Sequence, residues 1–388
     1  MVRRFKKFAY YVLLGSLGTS AAGGAQEQAE PLVKGGIGDK PFIYRGDRGT
    51  SIGGYAETHF RYVREDGIVD ELGFEAKRFN LFTYTPVSER VRVASELEFE
   101  EGGEEIKVEI AIMDFEMHPA FTLRGGIILS PLGRFNLAHD SPSQDLTDRP
   151  LVSTKIIPTA LSEAGLGFYG AFYAGAESRL TYEFYGVNGF TDDVLIGDSD
   201  GTRIAAGRGN FEDNNNRPAW VGRLGLSPQP AYEIGLSFHT GAYNKWQAED
   251  LSIDERRDLT ILAVDWDSRF RGIEFQGEYA QASIDVPAES GIFQESQRGF
   301  YAQVNAHFGR DRLAVFPGSV FTAAVRYGMV DFDANTDGDD HRRFTVGVNF
   351  RPAEDSVLKF DYQRNWKRDP FENEVRGAAL LFSMATYF

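Results

Sequence analysis

The stretch FTVGVNFRPAEDSVLKFDYQRNW, residues 344–366, alternates apolar and polar side chains on both sides of a short polar segment. In Phe344–Phe350 the even-numbered residues are Phe or Val, and the odd-numbered residues are Thr, Gly and Asn. Side chains that alternate with period two point to opposite faces of a β-strand. The stretch therefore predicts two antiparallel strands, each with one apolar and one polar face, joined by a tight turn at Pro352–Asp355.

The same alternation recurs over nearly the whole chain after residue 50, and helix-period stripes are scarce. Turn-forming clusters of Gly, Pro, Asp, Asn and Ser divide this region into about sixteen strands. The predicted strands are 51–64, 73–86, 90–101, 104–117, 120–130, 164–174, 177–188, 218–227, 231–243, 257–267, 271–284, 297–308, 320–331, 342–351, 356–367 and 376–388.

The connections between these strands alternate in length. After even-numbered strands they are mostly tight, as at Val87–Glu89, and after odd-numbered strands they are mostly long and polar, as at Pro131–Glu163 and Gly189–Arg217. Short turns on one side and long loops on the other are typical of bacterial transmembrane barrels, whereas a β-sandwich has no reason to segregate its loops in this way. The sequence therefore predicts an all-β fold, a single transmembrane antiparallel β-barrel of about 16 strands, with both termini on the periplasmic side.

A wall of sixteen strands is too wide for side chains to fill, so the sequence predicts a water-filled lumen. The longest connection, Pro131–Glu163, is expected to fold inward as a constriction loop. The composition agrees with a barrel, since 17 Tyr and 31 Phe accompany a mean hydropathy of only −0.33. Aromatic girdles flank the lipid-facing band of barrels, while the lumen side stays polar.

Charge and cysteine content exclude several classes of protein. The chain of 388 residues has a formal net charge of −16 and no Cys. An acidic chain without a basic stripe does not bind nucleic acid through its phosphates. The absence of Cys excludes disulfides, thiolate metal sites and catalytic thiols.

The N-terminus has the pattern of a secretory signal peptide. Arg3, Arg4, Lys6 and Lys7 precede the apolar stretch Phe8–Leu17, and small residues follow up to Ala25. A membrane anchor is the alternative, but glycines interrupt the stretch before it could span a bilayer. We expect cleavage near Ala25, which gives a signal peptide at 1–25, a short periplasmic N-terminal segment at 26–50 and a barrel domain at 51–388 in the outer membrane.

Three short motifs resemble the phosphate-selective porin O/P family. The stretch Gly125–Gly133, GGIILSPLG, is similar to a strand end of the form G-x-x-x-x-P-F-G in that family. Asp148–Arg149 lies where the family has an acidic–basic pair. Glu163–Gly170 resembles the family's return strand. The resemblance implies an outer-membrane porin of sixteen strands, usually trimeric, that passes anions along basic residues of the constriction. The chain departs from the pattern at Ile127 and at Glu163, where the family tends to have polar or basic residues.

The alternation also selects candidate pore-lining residues. Arg92 and Lys107 alternate with apolar neighbours and should point inward, whereas Arg124 and the Lys77–Arg78 pair fit either register. We expect these cations to form a positive stripe opposite an acidic wall, and a modest anion preference to follow. The alternative is that they are ordinary solvated lumen charges. The other candidates are Arg134, Arg149 and Lys155 in the constriction loop, and Glu233, Glu274 and Glu278 on the opposite wall.

Two further stretches carry signals of assembly and of cation binding. The last strand ends in Phe388, with Leu380, Phe382 and Met384 in the same parity, which resembles the barrel-assembly signal of outer-membrane proteins. The acidic stretch Asp331–Asp340 has Thr336 where an EF-hand loop needs Gly, so a solvated loop is favoured over a calcium site. Weak cation bridging from this loop to lipopolysaccharide is the alternative.

These observations predict a passive diffusion channel for small hydrophilic solutes, with no catalytic residue, metal or cofactor. An oxyanion-selective channel for phosphate is the alternative within transport. A barrel enzyme that uses His139 and Asp140, and a receptor or adhesin that acts through its long loops, are the alternatives from other classes. The expected partners are small anions or other hydrophilic solutes, outer-membrane lipid and lipopolysaccharide, the barrel-assembly machinery and two further copies in a homotrimer, but no nucleic acid.

Overall fold

A computed structural model describes residues 33–43, 49–175, 177–196, 201–249, 251–288 and 292–388. Sixteen antiparallel strands form one closed barrel, in which each strand pairs with the next and the last pairs with the first. Within the described residues, no helix is long and apolar enough to cross a membrane. The strands are β1 Ser51–Glu65, β2 Ile68–Ser88, β3 Val91–Glu100, β4 Glu105–His118, β5 Phe121–Leu129, β6 Ser162–Ala174, β7 Ser178–Val187, β8 Ala219–Gln229, β9 Tyr232–Ala242, β10 Asp258–Phe270, β11 Ile273–Ile284, β12 Ser296–Phe308, β13 Val320–Asp331, β14 Asp340–Ala353, β15 Ser356–Arg368 and β16 Glu374–Tyr387.

The predicted all-β barrel of about sixteen strands is confirmed, and each predicted strand has a counterpart. The largest difference is at β2, which begins at Ile68 instead of residue 73. Asp66 and Gly67 form the two-residue turn of a long hairpin, with φ values of 45° and 86°. An Asp-Gly pair suits a hairpin turn in which both residues have positive φ, and so the strands continue to the turn with no loop between them.

The two faces of the barrel wall differ in polarity. Leu224, Leu236 and Leu262 are exposed on the outside, whereas Asp265, Gln303 and Thr345 are buried on the inside. This arrangement is the reverse of a soluble protein, in which apolar side chains turn to the core. Inward polar groups of this barrel are buried because other parts of the chain fill much of its interior.

The connection at residues 130–161, between β5 and β6, folds inside the barrel and is called the inner loop. It contains the short helices α1, Arg134–Leu137, and α2, Val152–Lys155. The inner loop carries its own apolar side chains, and Leu132, Val152 and Ile156 are fully buried. Burial of these side chains against the wall stabilises the loop in its inward position.

Residues 33–43, here called the N-terminal segment, lie inside the end of the barrel that carries the tight turns. The Phe42 ring packs against Phe82 of β2 and Tyr387 of β16, with centroid distances of 5.1 and 6.2 Å. These residues belong to the region that the sequence assigns to a short periplasmic segment. The expected signal peptide at 1–25 lies outside the described residues.

The C-terminal Phe388 lies on the outer surface. Its ring stacks on Phe79 of β2, with centroids 5.5 Å apart and an interplanar angle of 14°. A further aromatic cluster at the same end joins Phe308, Phe321 and Phe350 of β12–β14. Such clusters at one rim have the placement of an aromatic girdle.

Candidate pore constriction

The inner loop is attached to several walls of the barrel. The Phe135 N–H and the Ser153 hydroxyl donate hydrogen bonds to the Glu278 carboxylate of β11, at 3.2 and 3.0 Å. The Thr147 N–H donates to Asp361 of β15 at 2.6 Å. The loop therefore extends between strands on different sides of the lumen and narrows any path through it.

Three basic side chains converge on one residue of the inner loop, Asp148. The Arg61 guanidinium of β1 lies 2.7 Å from its carboxylate, and that of Arg343 of β14 lies at 3.4 Å. Arg326 of β13 donates a hydrogen bond to the Asp148 carbonyl oxygen. Burial alone would raise the pKa of Asp148, but Arg343 and Arg61 outweigh it and hold this pKa well below its usual range.

Two further carboxylates of the inner loop also face basic groups. Asp145 lies 3.1 Å from the Arg351 guanidinium of β14. Asp140 lies 2.5 Å from the Lys40 ammonium and accepts a hydrogen bond from the Tyr387 hydroxyl at 3.0 Å. Together with Asp148, these carboxylates attach the loop to β1, β14 and β16 and to the N-terminal segment.

Lys40 joins three parts of the chain. Its side chain is 5% exposed, and its Nζ lies 3.2 Å from Glu96 of β3 and 2.5 Å from Asp140 of the inner loop. Burial lowers the pKa of Lys40, but the carboxylates of Asp140 and Glu96 outweigh it and raise this pKa above its ordinary value. The N-terminal segment, β3 and the inner loop thus share one buried cation.

His139 and Asp140 turn to different partners. The His139 Nε2 lies 2.9 Å from Glu109 of β4, and its Nδ1 lies 2.8 Å from the Asn136 carbonyl oxygen. Burial lowers the pKa of His139, but Glu109 outweighs it and raises this pKa; Arg149 opposes the rise and Asp140 favours it. The acid–histidine pair that a barrel enzyme would use does not form between His139 and Asp140.

The pair of His139 and Glu109 makes docking of the inner loop depend on pH. Because the pKa of His139 is raised above its ordinary value of 6.5, the charged ring stabilises the docked loop fully below pH 6.5. This contribution is lost as the pH rises through the raised pKa. We expect single-channel current noise to increase as the pH rises above 6.5 and through the raised pKa of His139, because the loop then fluctuates more.

The matched variant is His139→Gln, which keeps a polar group but does not titrate. Its current noise should stay constant over the same pH range, and an NMR titration of the six histidines should find the His139 midpoint above 6.5. Equal pH profiles in the two proteins would contradict this assignment.

Predicted cations of the early strands lie on the inward face, where each is paired with a carboxylate of the same wall. Arg92 lies 2.9 Å from Glu116, and Arg124 lies 2.7 Å from Asp114. With Glu96 and Glu98 also on this wall, β2–β5 carry an excess of acidic groups. The expected positive stripe on the early strands is therefore wrong. Further ion pairs on and beside this wall are Lys77–Glu75, Lys107 with Glu105 and Glu100, and Arg78 with Glu57, Glu98 and Glu100.

The candidates of the inner loop lie in three environments. Arg134 of α1 is paired with Asp267 of β10 at 2.9 Å. Arg149 is half-buried and donates to the Thr159 carbonyl oxygen at 2.9 Å, and its pKa is lowered by burial and by Arg78. Lys155 is exposed on α2.

The predicted acidic residues of the other wall all point inward. Glu233 lies 2.9 Å from Arg223 of β8, and Glu274 lies 3.3 Å from Lys34 of the N-terminal segment. Glu278 is fully buried under the inner loop. Two of the three are thus neutralised by cations, and the third binds backbone and hydroxyl groups.

The basic side of the constriction lies on β13–β15, which sequence reasoning missed. Arg326, Arg343, Arg351 and Lys359 all point inward there and contact the inner loop. Their inward orientation could be read from the alternation in the predicted strands 320–331, 342–351 and 356–367. Their partners could not, because Asp145 and Asp148 lie some two hundred residues earlier in the chain.

No family model matches the chain. An uncharacterized protein of Aquifex aeolicus is 27% identical over 371 residues, which cover 88% of this chain and 81% of that protein. The anion-selective porin of Comamonas acidovorans superposes with a TM-score of 0.60 at 12% identity, over 87% of this chain and 99% of that porin. The outer membrane channel DcaP of Acinetobacter baumannii superposes with a TM-score of 0.58 at 13% identity, over 89% of this chain and 99% of that channel. The trimer form of OmpT of Vibrio cholerae superposes with a TM-score of 0.53 at 10% identity, over 88% of this chain and 100% of that protein. The chain therefore has the fold of outer-membrane porins.

A small cavity of about 10 Å³ remains between the inner loop and the wall at β1 and β2. Glu57, Arg78, His139, Asp148 and Arg149 are among its lining residues. Its volume is enough for about one water molecule. The inner loop therefore packs closely against this side, and a wider path needs another side of the lumen or movement of the loop.

Proposed function

We propose that this chain is an outer-membrane porin, a passive channel for small hydrophilic solutes and ions. The observation that carries the proposal is the closed sixteen-strand barrel with an apolar outside, a charged inside and a long loop folded across the lumen. An apolar outer wall suits lipid, and closure satisfies every strand edge within the barrel. The Comamonas acidovorans porin and DcaP, whose folds the chain shares, support this assignment.

The lumen needs only its own side chains to perform this function. Inward carboxylates, guanidiniums and amides replace part of the hydration of a passing solute, and the inner loop limits its size. Passive passage involves no catalytic step and no cofactor. Among the described residues, no group of three or more His, Asp or Glu side chains is arranged to hold a metal ion.

We infer a weak anion preference. Three cations that contact or belong to the inner loop, Arg149, Arg326 and Lys359, have no carboxylate within ion-pair distance among the described residues. The acidic excess on β2–β5 opposes their field, and therefore the preference should be small. The anion-selective porin with the same fold supports the sign of the preference.

The reversal potential in a tenfold KCl gradient tests this inference. We expect the chloride permeability to exceed that of potassium by about twofold, and Arg326→Gln to reduce the ratio because it removes a cation that has no ion pair. The control is Arg92→Gln, which removes an inward cation from the acidic wall. A clear cation preference of the wild-type channel would overturn the anion assignment and leave the porin assignment intact.

A second candidate function is selective passage of oxyanions such as phosphate, as the resemblance to the porin O/P family implies. The observation that favours it is the convergence of Arg61, Arg326 and Arg343 on Asp148. Several guanidiniums around one carboxylate are the donor arrangement that also suits phosphate. In the structure the carboxylate and the carbonyl oxygen of Asp148 occupy these donors, so this function requires Asp148 to be displaced.

The porin proposal also includes how the protein is exported and assembled. The trimer form of OmpT supports a homotrimer, and the terminal Phe388 on the outer surface supports recognition by the barrel-assembly machinery. Export by a signal peptide at 1–25, with periplasmic termini, agrees with β1 beginning and β16 ending at the tight-turn end of the barrel. Mass measurement of the protein purified from outer membranes tests cleavage near Ala25.

A further inference from the structure

The outward face of β12–β16 changes character near the long-loop end. On β12 the outward side chains from Phe308 to Phe300 are apolar or small, and Arg298 follows. On β14 the same change occurs between Phe344 and Arg342. The ten residue steps from Phe308 to Arg298 correspond to about 25 Å along the barrel axis, for a rise of roughly 3.3 Å per residue and a tilt of about 40°. The arginines therefore lie at the level where an apolar band of this height ends.

Strand register brings the arginines together on this face. Arg298 pairs with Asp331 of β13, Asp331 pairs with Asp340 of β14, and Asp340 pairs with Arg368 of β15. Arg342 lies one inter-strand row closer to the apolar band, beside Trp366. Arg298, Arg342 and Arg368 are called the outer arginine patch. Trp is typical of membrane interfaces, and thus its position agrees with the level deduced from the strand length.

The patch borders an open cavity on the outer wall. The cavity has a volume of about 390 Å³, and all three arginines line it together with residues of the loop that joins β13 to β14. The arginine side chains are 49%, 42% and 26% exposed in chain order, whereas Asp331 and Asp340 are buried behind them. A ligand that enters the cavity therefore meets guanidinium groups first.

The buried carboxylates hold the guanidiniums and leave donors free. Each arginine contacts its carboxylate through Nε and Nη2: Arg298 with Asp331, and both Arg342 and Arg368 with Asp340. Among the described residues, the three Nη1 groups have no acceptor. Guanidiniums fixed by carboxylates, with N–H donors turned to an open cavity, are arranged to bind a phosphate through charge-assisted hydrogen bonds.

We propose that the outer arginine patch binds the phosphorylated sugar headgroup of a lipid in the outer leaflet. The proposal rests on the proposed location in the outer membrane, and continuity with the lipid-facing apolar band commits the site to a lipid. The acyl chains would lie on the apolar side chains below Arg342, and a phosphate would accept hydrogen bonds from the three arginines. Asp337 also lines the cavity and favours the sugar hydroxyls over a second phosphate.

The test is lipid binding to the full-length trimer in detergent, measured by native mass spectrometry. The probes are bisphosphorylated lipid A and the same lipid after phosphatase treatment. The variant R298Q/R342Q/R368Q should bind lipid A about tenfold or more weakly than the wild type, because charge-assisted hydrogen bonds are lost. The matched control R90Q/R310Q/R312Q removes three exposed arginines at the tight-turn rim and should bind normally.

The other outcomes of this experiment show what else could occupy the outer arginine patch. Equal binding of the dephosphorylated lipid would overturn the proposal. Loss of lipid A binding in EDTA would also overturn it, because a cation at Asp337 would then mediate the contact. Displacement of lipid A by millimolar inorganic phosphate would assign the site to free phosphate instead. Dissociation of the triple variant into monomers without a change in lipid binding would assign the patch to a neighbouring copy. If the wild-type protein conducts normally but binds no lipid A, only this inference is wrong. If the wild-type protein does not conduct, the proposed function is wrong.

Discussion

Replacing Lys40 by Met should release the N-terminal segment from the barrel. The substitution keeps the length of the side chain but leaves Glu96 and Asp140 buried without their cation. Breaking a buried ion pair by removal of one partner costs about 3–5 kcal/mol, since the remaining charges stay uncompensated. This cost falls on the docked state, and undocking should therefore become about a hundredfold more frequent or greater.

The absence of Cys allows a direct measurement of undocking. Val33 is buried in the docked segment, so Val33→Cys places a single thiol that reacts with a soluble maleimide only after release. In the K40M background this thiol should be labelled about a hundredfold faster. Single-channel conductance should rise by about twofold or more, because the segment no longer occupies the barrel end.

The matched control is Lys34→Met on the same segment. Lys34 also forms an ion pair, with Glu274 at 3.3 Å, but its side chain is 54% exposed. An exposed pair contributes less than about 1 kcal/mol, so labelling and conductance should stay near wild type. Equal labelling rates in the K40M and K34M backgrounds would contradict the role given to Lys40.

The partners of Lys40 explain why its role is not visible in the sequence. Its two carboxylates lie 56 and 100 residues away along the chain. Alternation assigns Glu96 to the inner face of β3, but no local pattern indicates that a segment before β1 returns into the lumen. By contrast, the barrel itself follows from period-two alternation and from loop lengths, which are local properties of each hairpin.

The polarity of the lumen was mispredicted for a similar reason. The pairs Arg92–Glu116 and Arg124–Asp114 depend on the registers of β3, β4 and β5, and a bulge interrupts the first register between Glu96 and Leu97. At this bulge Glu109 and Ile110 are both buried on the inside. A strict alternation cannot place such a residue, and one added carboxylate changes the charge of the wall.

Asp148→Asn should convert the basic cluster at the inner loop into a site for passing anions. The substitution preserves shape and removes the charge that neutralises Arg61 and Arg343. Because the pKa of Asp148 is held well below its usual range, the wild-type group stays charged throughout the neutral range and the contrast with Asn is complete. Arg343 then joins Arg326 as a cation without a carboxylate partner among the described residues, whereas Arg61 keeps Glu71 at 3.0 Å. The chloride-to-potassium permeability ratio should therefore increase by roughly threefold.

Phosphate distinguishes the two functions proposed for the channel. In the D148N variant Arg343 has lost its carboxylate partner beside Arg61 and Arg326, so this cluster can bind an oxyanion, and millimolar phosphate should reduce the chloride current. The control is Asp267→Asn, since Asp267 has the same 16% exposure of its side chain but, within the part of the chain that the structure describes, pairs with Arg134 alone. Block of the wild-type current by phosphate would show that Asp148 is displaced by substrate, as an oxyanion channel requires. If D148N leaves selectivity and phosphate sensitivity unchanged, the conducting path does not pass Asp148, and the anion preference must arise at cations elsewhere in the lumen, such as Lys359.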